Sequence, residues 1–152
     1  MILYLARHGE AKSPSPDQPS LLTHKGQKDV TKMAQDLKKE GICPVLIWHS
    51  PKERAVQTAE IYMQILGIPL TAREEKKKLK PDDNPEEILE EILGEKGESL
   101  MIVGHLPFLD KLAFILLKEP SQNSIPSFPT SSVACLKRGP GDAWEIIWMK
   151  NP

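Results

Sequence analysis

The chain has 152 residues, room for one domain built on one core. Apolar residues make up 39% and charged residues 27%, which excludes a wholly disordered chain. Lys and Arg total 20 against 21 Asp and Glu, so no chain-wide basic field exists to attract nucleic acid or an anionic membrane, and any anion site must be local.

The longest apolar run, Leu112 to Leu117, is far too short to span a bilayer. The apolar start, Met1 to Ala6, is interrupted by Arg7, His8 and Glu10 before a signal-peptide core can form. The two cysteines, Cys43 and Cys135, lie in apolar contexts and read as free buried thiols, which points to a reducing, cytoplasmic location.

In chain order, Met1–Ala6 lacks alternation and reads as a strand covered on both faces. Residues 12 to 20, with three prolines and three serines, form a loop. Between Thr23 and Glu40, Val30, Met33, Ala34 and Leu37 recur at helical spacing, and Gly41 stands where a helix ends. Pro44–Trp48 is a second buried strand. A helix follows, with Ser50 expected to cap it, Pro51 in its first turn and Glu53 completing a capping box; it buries Ala55, Ala59, Tyr62 and Leu66 and stops at Gly67.

The highly charged stretch Arg73–Lys80 and the turn-like Pro81–Pro85 read as a solvated segment. Asn84-Pro-Glu-Glu87 opens a short helix with Ile88, Leu89, Ile92 and Leu93 on its apolar side. Leu100–Val103 is a third buried strand, followed by Gly104-His105 and an apolar helix from Pro107 to Leu117. Pro120–Pro129 is a loop, and Val133–Leu136 and Trp144–Trp148 are antiparallel strands around Arg138–Asp142. The alternation predicts a three-layer α/β/α sandwich, mainly parallel, with antiparallel C-terminal strands, as a single domain over 1–152.

Ligands of such sheets bind beyond the carboxyl ends of the strands. Three predicted strands end in polar clusters: Arg7-His8-Gly9-Glu10, His49-Ser50 with Arg54, and Gly104-His105. Adjacent and parallel, they would gather two arginines and two histidines beside a helix N-terminus. That combination makes an oxyanion site, in which arginine forks match phosphate geometry and Gly9 is expected to let backbone N–H groups approach the anion. A histidine there can serve as a nucleophile for phosphoryl transfer. A solitary histidine at a strand end usually serves structure, so the weight falls on the joint arrangement. His24 and His49, which lack such support, read as surface or supporting residues. Metal use is disfavoured: HxH, HExxH and CxxC spacings are missing and the arginines would repel a cation.

Arg7-His8-Gly9-Glu10, Leu22-Thr23 with Gly26, Ser50-Pro51 with Arg54-Ala55 and Gln57–Glu60, and Gly104-His105 together resemble the histidine phosphatase (phosphoglycerate mutase-like) superfamily. The short length, Gly104–Pro107 and Phe128–Ser132 narrow the resemblance to SixA-type phosphohistidine phosphatases, over nearly the whole chain. The resemblance implies that His8 takes the phosphoryl group, Arg7 and Arg54 clamp its oxygens, and His105 stabilises its charge, without cofactor or metal. Glu10 is expected to orient its loop, and Thr130 and Ser131 to edge the pocket.

One departure stands out. Larger relatives carry a glutamate that protonates an alcohol leaving group, where this chain reads Lys76–Pro81; Glu74, Glu75, Asp82 and Asp83 are the nearby alternatives. A protonated phosphohistidine ring leaves as neutral imidazole, so an acid matters less for it. The expected partner is a protein domain bearing phosphohistidine, such as a phosphotransfer domain, with inorganic phosphate as product. The competing readings are a phosphatase of small phosphate monoesters and a catalytically idle phosphate- or phosphoprotein-binding module.

Overall fold

A computed structural model describes residues 1–118 and 127–152, so most of the predicted 120–129 loop lies outside the described residues. Six strands form one sheet: β1 (Ile2–Arg7), β2 (Leu46–His49), β3 (Arg73–Glu75), β4 (Ser99–Gly104), β5 (Val133–Arg138) and β6 (Trp144–Lys150), in the order β3-β2-β4-β1-β5-β6. Strands β1 to β4 pair in parallel, while β5 pairs antiparallel with both β1 and β6. The predicted architecture holds; β5 is the strand that runs against the others.

Four helices cover the sheet: α1 (His24–Lys39), α2 (Glu53–Leu66), α3 (Glu86–Gly94) and α4 (Phe108–Leu117). Alternate residues of each strand feed opposite cores, as a pleated strand requires. Tyr4, Ala6, Met101 and Val103 pack with α1 and α2 through Val30, Met33, Leu37, Ala59 and Tyr62. Leu3, Leu5, Leu100 and Ile102 pack with α3 and α4 through Ile88, Ile92, Phe108 and Leu112. Both faces are buried, which explains strands without polar alternation.

Helix starts differ from expectation in one informative place. Thr23 caps α1 as its sequence suggests, accepting from the Gly26 N–H at 2.9 Å. At α2, however, Lys52 is the N-cap and no side chain caps the helix, so the expected Ser50–Glu53 capping box does not form. Gly67 ends α2 in the left-handed region at φ 74°. The charged segment after it is more than a solvated loop. Arg73–Glu75 adds strand β3 to the sheet edge, Leu79 is fully buried, and the Lys76 ammonium sits 4.2 Å over the Trp48 ring while pairing with Glu74 and Glu91. Among the cysteines, Cys135 is buried as expected but Cys43 is exposed.

Candidate active site

β1 and β4 are adjacent and parallel, and the helices that follow them pack on opposite faces of the sheet. The chain therefore diverges above this pair, opening the crevice that α/β sheets use for ligands. Arg7 is paired with Gly104 in the last register position, so His8 and His105 are the first residues beyond each strand. Their rings lie 4.9 Å apart, centroid to centroid. His49 pairs with Val103 on the other side of β4, which brings Ser50 to the same edge.

His8 is 8% exposed and held from several directions. Its N–H donates to the Gly104 carbonyl at 3.0 Å, and its own carbonyl accepts from Ser131 N–H at 3.1 Å. Nδ1 lies 2.7 Å from the Gly9 carbonyl, which can only accept, so Nδ1 carries the proton and Nε2 presents its lone pair. Arg54 Nε donates to that Nε2 at 3.3 Å. Burial, the largest cause, pushes the His8 imidazole down to about 4 against the opposing Gly9 bond, with Arg54 and Arg7 adding to the fall. At neutral pH His8 is a neutral imidazole with its free nitrogen facing a guanidinium.

His105 is 1% exposed and pushed down to about 3, by burial first and then by His8, Arg54, Lys52 and Arg7. Its Nε2 lies 2.7 Å from the Ser50 hydroxyl. That hydroxyl also accepts from Lys52 N–H at 3.3 Å, and with a second lone pair and its own hydrogen it can meet His105 Nε2 as donor or as acceptor. His105 Nδ1 is a buried atom with no partner among the described residues, and it carries the ring's proton when Ser50 donates to Nε2. His105 is neutral rather than a cation at physiological pH, and the positive charge comes from the arginines. Arg7 is anchored by NH1 on the Phe128 carbonyl at 2.6 Å, leaving its buried Nε unpartnered. Arg7 Nε, His105 Nδ1 and the buried Ser131 hydroxyl have no partners among the described residues, whereas buried polar groups are normally satisfied.

The cleft beside His8 has a volume of about 360 Å³ and is walled by Arg7, Arg54, Thr130 and the Glu10–Pro14 segment with Ser20. The segment that carries this wall, read from sequence as a loop over residues 12 to 20, closes on itself through bridges Ala11–Leu22 and Ser15–Gln18. Glu74, Glu75, Asp82 and Asp83 do not line this cleft. Glu74 is spent on Lys76 at 2.6 Å, and Asp83 accepts from Lys80 N–H at 2.8 Å. Glu10 is the carboxylate at the cleft; its carbonyl accepts from Thr23 N–H at 2.9 Å, tying the loop to α1.

Three comparisons bear on this arrangement. A profile of the histidine phosphatase superfamily (branch 1) matches residues 3–77. The protein histidine phosphatase SixA, solved with tungstate, superposes with a TM-score of 0.88 at 25% identity, covering 100% of this chain and 97% of that one. Residues 3–77 match the histidine phosphatase superfamily, and the whole chain shares the fold of SixA. The Agrobacterium tumefaciens SixA protein superposes at TM-score 0.85 with 24% identity over 99% and 97% of the two chains. A mycobacterial glucosyl-3-phosphoglycerate phosphatase shares the fold at TM-score 0.74 and 16% identity, over 95% and 96%. No curated protein matches the sequence.

The superfamily motifs now acquire physical reasons in this chain. Gly9 serves packing rather than anion approach: a Cβ there would lie 2.8 Å from Val30 Cγ2 and 2.9 Å from the Gly26 carbonyl. Its N–H is taken by the Thr58 hydroxyl at 3.1 Å, which itself donates to the Arg54 carbonyl. Gln57 accepts from Leu22 N–H at 2.8 Å. Phe128–Ser132 clamps the end of β1, Ser132 accepting from Arg7 N–H and Ser131 donating to His8. Ser131 does so at φ 65°, a strained backbone for a non-glycine residue. His24 is exposed as expected, but His49 is fully buried. Among the described residues no group of three or more His, Cys, Asp and Glu side chains is arranged to hold a metal ion, and no helix is long and apolar enough to cross a membrane.

Proposed function

We propose that this chain is a phosphatase that removes the phosphoryl group from phosphohistidine on a protein, by way of a covalent intermediate on His8. The observation that carries the reading is the state of His8: Nδ1 committed to the Gly9 carbonyl, Nε2 unprotonated and 3.3 Å from Arg54 Nε. The Nε2 lone pair attacks phosphorus while the P–N bond of the substrate breaks, its electrons passing to the departing imidazole. That ring, protonated at its other nitrogen, leaves neutral. Water then attacks phospho-His8, releasing inorganic phosphate and restoring neutral His8. Arg54 and Arg7 take the phosphoryl oxygens, and the unpartnered Nδ1–H of His105 donates to one of them, stabilising charge as it spreads over the transferring group.

A protein substrate is supported by the likeness to SixA, a protein histidine phosphatase, and by the cleft's carboxylate inventory. Glu74 and Asp83 are engaged elsewhere, and among the described residues the one carboxylate lining the cleft is Glu10, which lies against the Lys25 ammonium at 3.8 Å. A phosphotransfer domain is the fitting partner, and two unpaired cysteines suit a reducing cytoplasm. The test is a rate comparison between a phosphohistidine protein and a series of aryl and alkyl phosphates at fixed pH. The phosphohistidine protein should be the best substrate. Among esters, each unit of leaving-group basicity should cost up to about tenfold. A flat ester series, made steep by Glu10→Gln, Glu74→Gln, Glu75→Gln, Asp82→Asn or Asp83→Asn, would move the reading to a small-ester phosphatase. Binding of phosphoprotein without turnover of any substrate would mark an idle module.

A further inference from the structure

His49 is fully buried at the end of β2, yet it does not line the cleft. A buried imidazole is costly unless its nitrogens are paired, and both are. Arg73 Nε donates to His49 Nε2 at 2.9 Å, and His49 Nδ1 donates to the Ser50 carbonyl at 2.8 Å. Arg73 is fixed in turn by Glu60 of α2 at 3.2 Å. Backbone bonds hold the same turn from both neighbours: Ser50 N–H to Val103 at 3.1 Å and Lys76 N–H to the His49 carbonyl at 2.9 Å. The next link is the 2.7 Å contact between the Ser50 hydroxyl and His105 Nε2. A continuous chain therefore runs from Glu60 through Arg73, His49 and Ser50 to the His105 ring, tilted against His8 at 4.9 Å.

We propose that His49 and Arg73 are positioning residues for phosphoryl transfer, locking the end of β2 so that the Ser50 hydroxyl holds His105 with its Nδ1–H toward the phosphoryl group. The inference rests on the phosphoryl-transfer reading of the site. Hydrophobic packing alone would be met by leucine at position 49; what leucine lacks is the donor to Ser50 and the acceptor for Arg73. A shift of Ser50 would turn or re-tautomerise His105, and misplacement of a transition-state donor lowers kcat more than it weakens binding.

The experiment compares wild type, His49→Leu, His49→Asn and Arg73→Gln in nitrophenyl phosphate hydrolysis, with nitrogen-15 NMR of the histidine rings in the free enzyme. In wild type, His105 should be the Nδ1–H tautomer. His49→Leu should lower kcat about tenfold or more with KM within about twofold, and should mix the His105 tautomers. Asn keeps an N–H where Nδ1 stood, so His49→Asn should recover most of the rate and the single tautomer. Arg73→Gln, at an edge strand, should fall between them, and it decides the matter if His49→Leu does not fold. A kcat within twofold of wild type with His105 unchanged, or a loss that asparagine fails to rescue, would overturn the proposal. The NMR arm needs no substrate. A wild-type enzyme that hydrolyses nothing would therefore refute the phosphatase reading while the His105 tautomers still judged the linkage.

Discussion

At His8 the two ring nitrogens are in different states: one is tied to the Gly9 carbonyl, and the other faces Arg54 and is the atom proposed to take the phosphoryl group. Arg54 approaches the reactive nitrogen through Nε, an atom lysine does not have. Arg54→Lys keeps the charge but loses the fork, and kcat is expected to fall by about 10²-fold with the fold intact, read from steady-state kinetics beside a thermal melt. Burial also makes the site pH-sensitive. His8 and His105 titrate in the folded protein at about 4 and about 3, below the roughly 6.5 of an unfolded imidazole. Between those limits the unfolded chain binds more protons, so stability is fully present above about pH 6.5 and is lost as the pH falls toward 4. The melting temperature of His8→Asn/His105→Asn should drop less over that interval than that of wild type; parallel curves would contradict the burial argument. Arg7, His8, Arg54 and His105 were all legible in the sequence, because strand ends announce themselves where apolar runs stop at polar residues. His49 was not: a histidine whose partner lies 24 residues away across a strand pair leaves no local signal.

At the scale of elements, the loop after β1 lies on the first turn of α1 so closely that two glycines are obligatory. A Cβ on Gly26 would lie 2.1 Å from the Glu10 carbonyl, a backbone atom that cannot step aside. Gly26→Ala, which would stabilise an ordinary helix, is expected to destabilise by about 3 kcal/mol in urea denaturation. Gly94→Ala, where a Cβ meets nothing within 4 Å, should be neutral or slightly stabilising. Long periodic helices and apolar strands were readable for the reasons that form them, burial on one stripe or on two faces. The edge strand β3 escaped because its residues, Arg73-Glu74-Glu75, are charged. What makes them a strand is pairing with β2, a tertiary fact that propensity cannot register. The Ser50 cap failed for a related reason: its hydroxyl faces His105, and the helix begins later without it.

For the whole molecule, the order β3-β2-β4-β1-β5-β6 is what unites three motifs that lie far apart in the chain. The sequence supplied strands, their ends and the family resemblance; it did not supply β4 as the strand lying between β1 and β2. That placement puts His8, Ser50 and His105 around one crevice, with the 127–132 segment closing its back through Phe128 and Ser131. The central claim is that His8 Nε2 accepts the phosphoryl group. The most direct test is a rapid, acid-free quench with a labelled phosphohistidine protein, followed by mapping of the label on this chain. The account predicts an acid-labile, base-stable phosphoenzyme on His8 that is missing in His8→Ala, together with loss of turnover. Turnover at the wild-type rate by His8→Ala, or label on another residue, would contradict it.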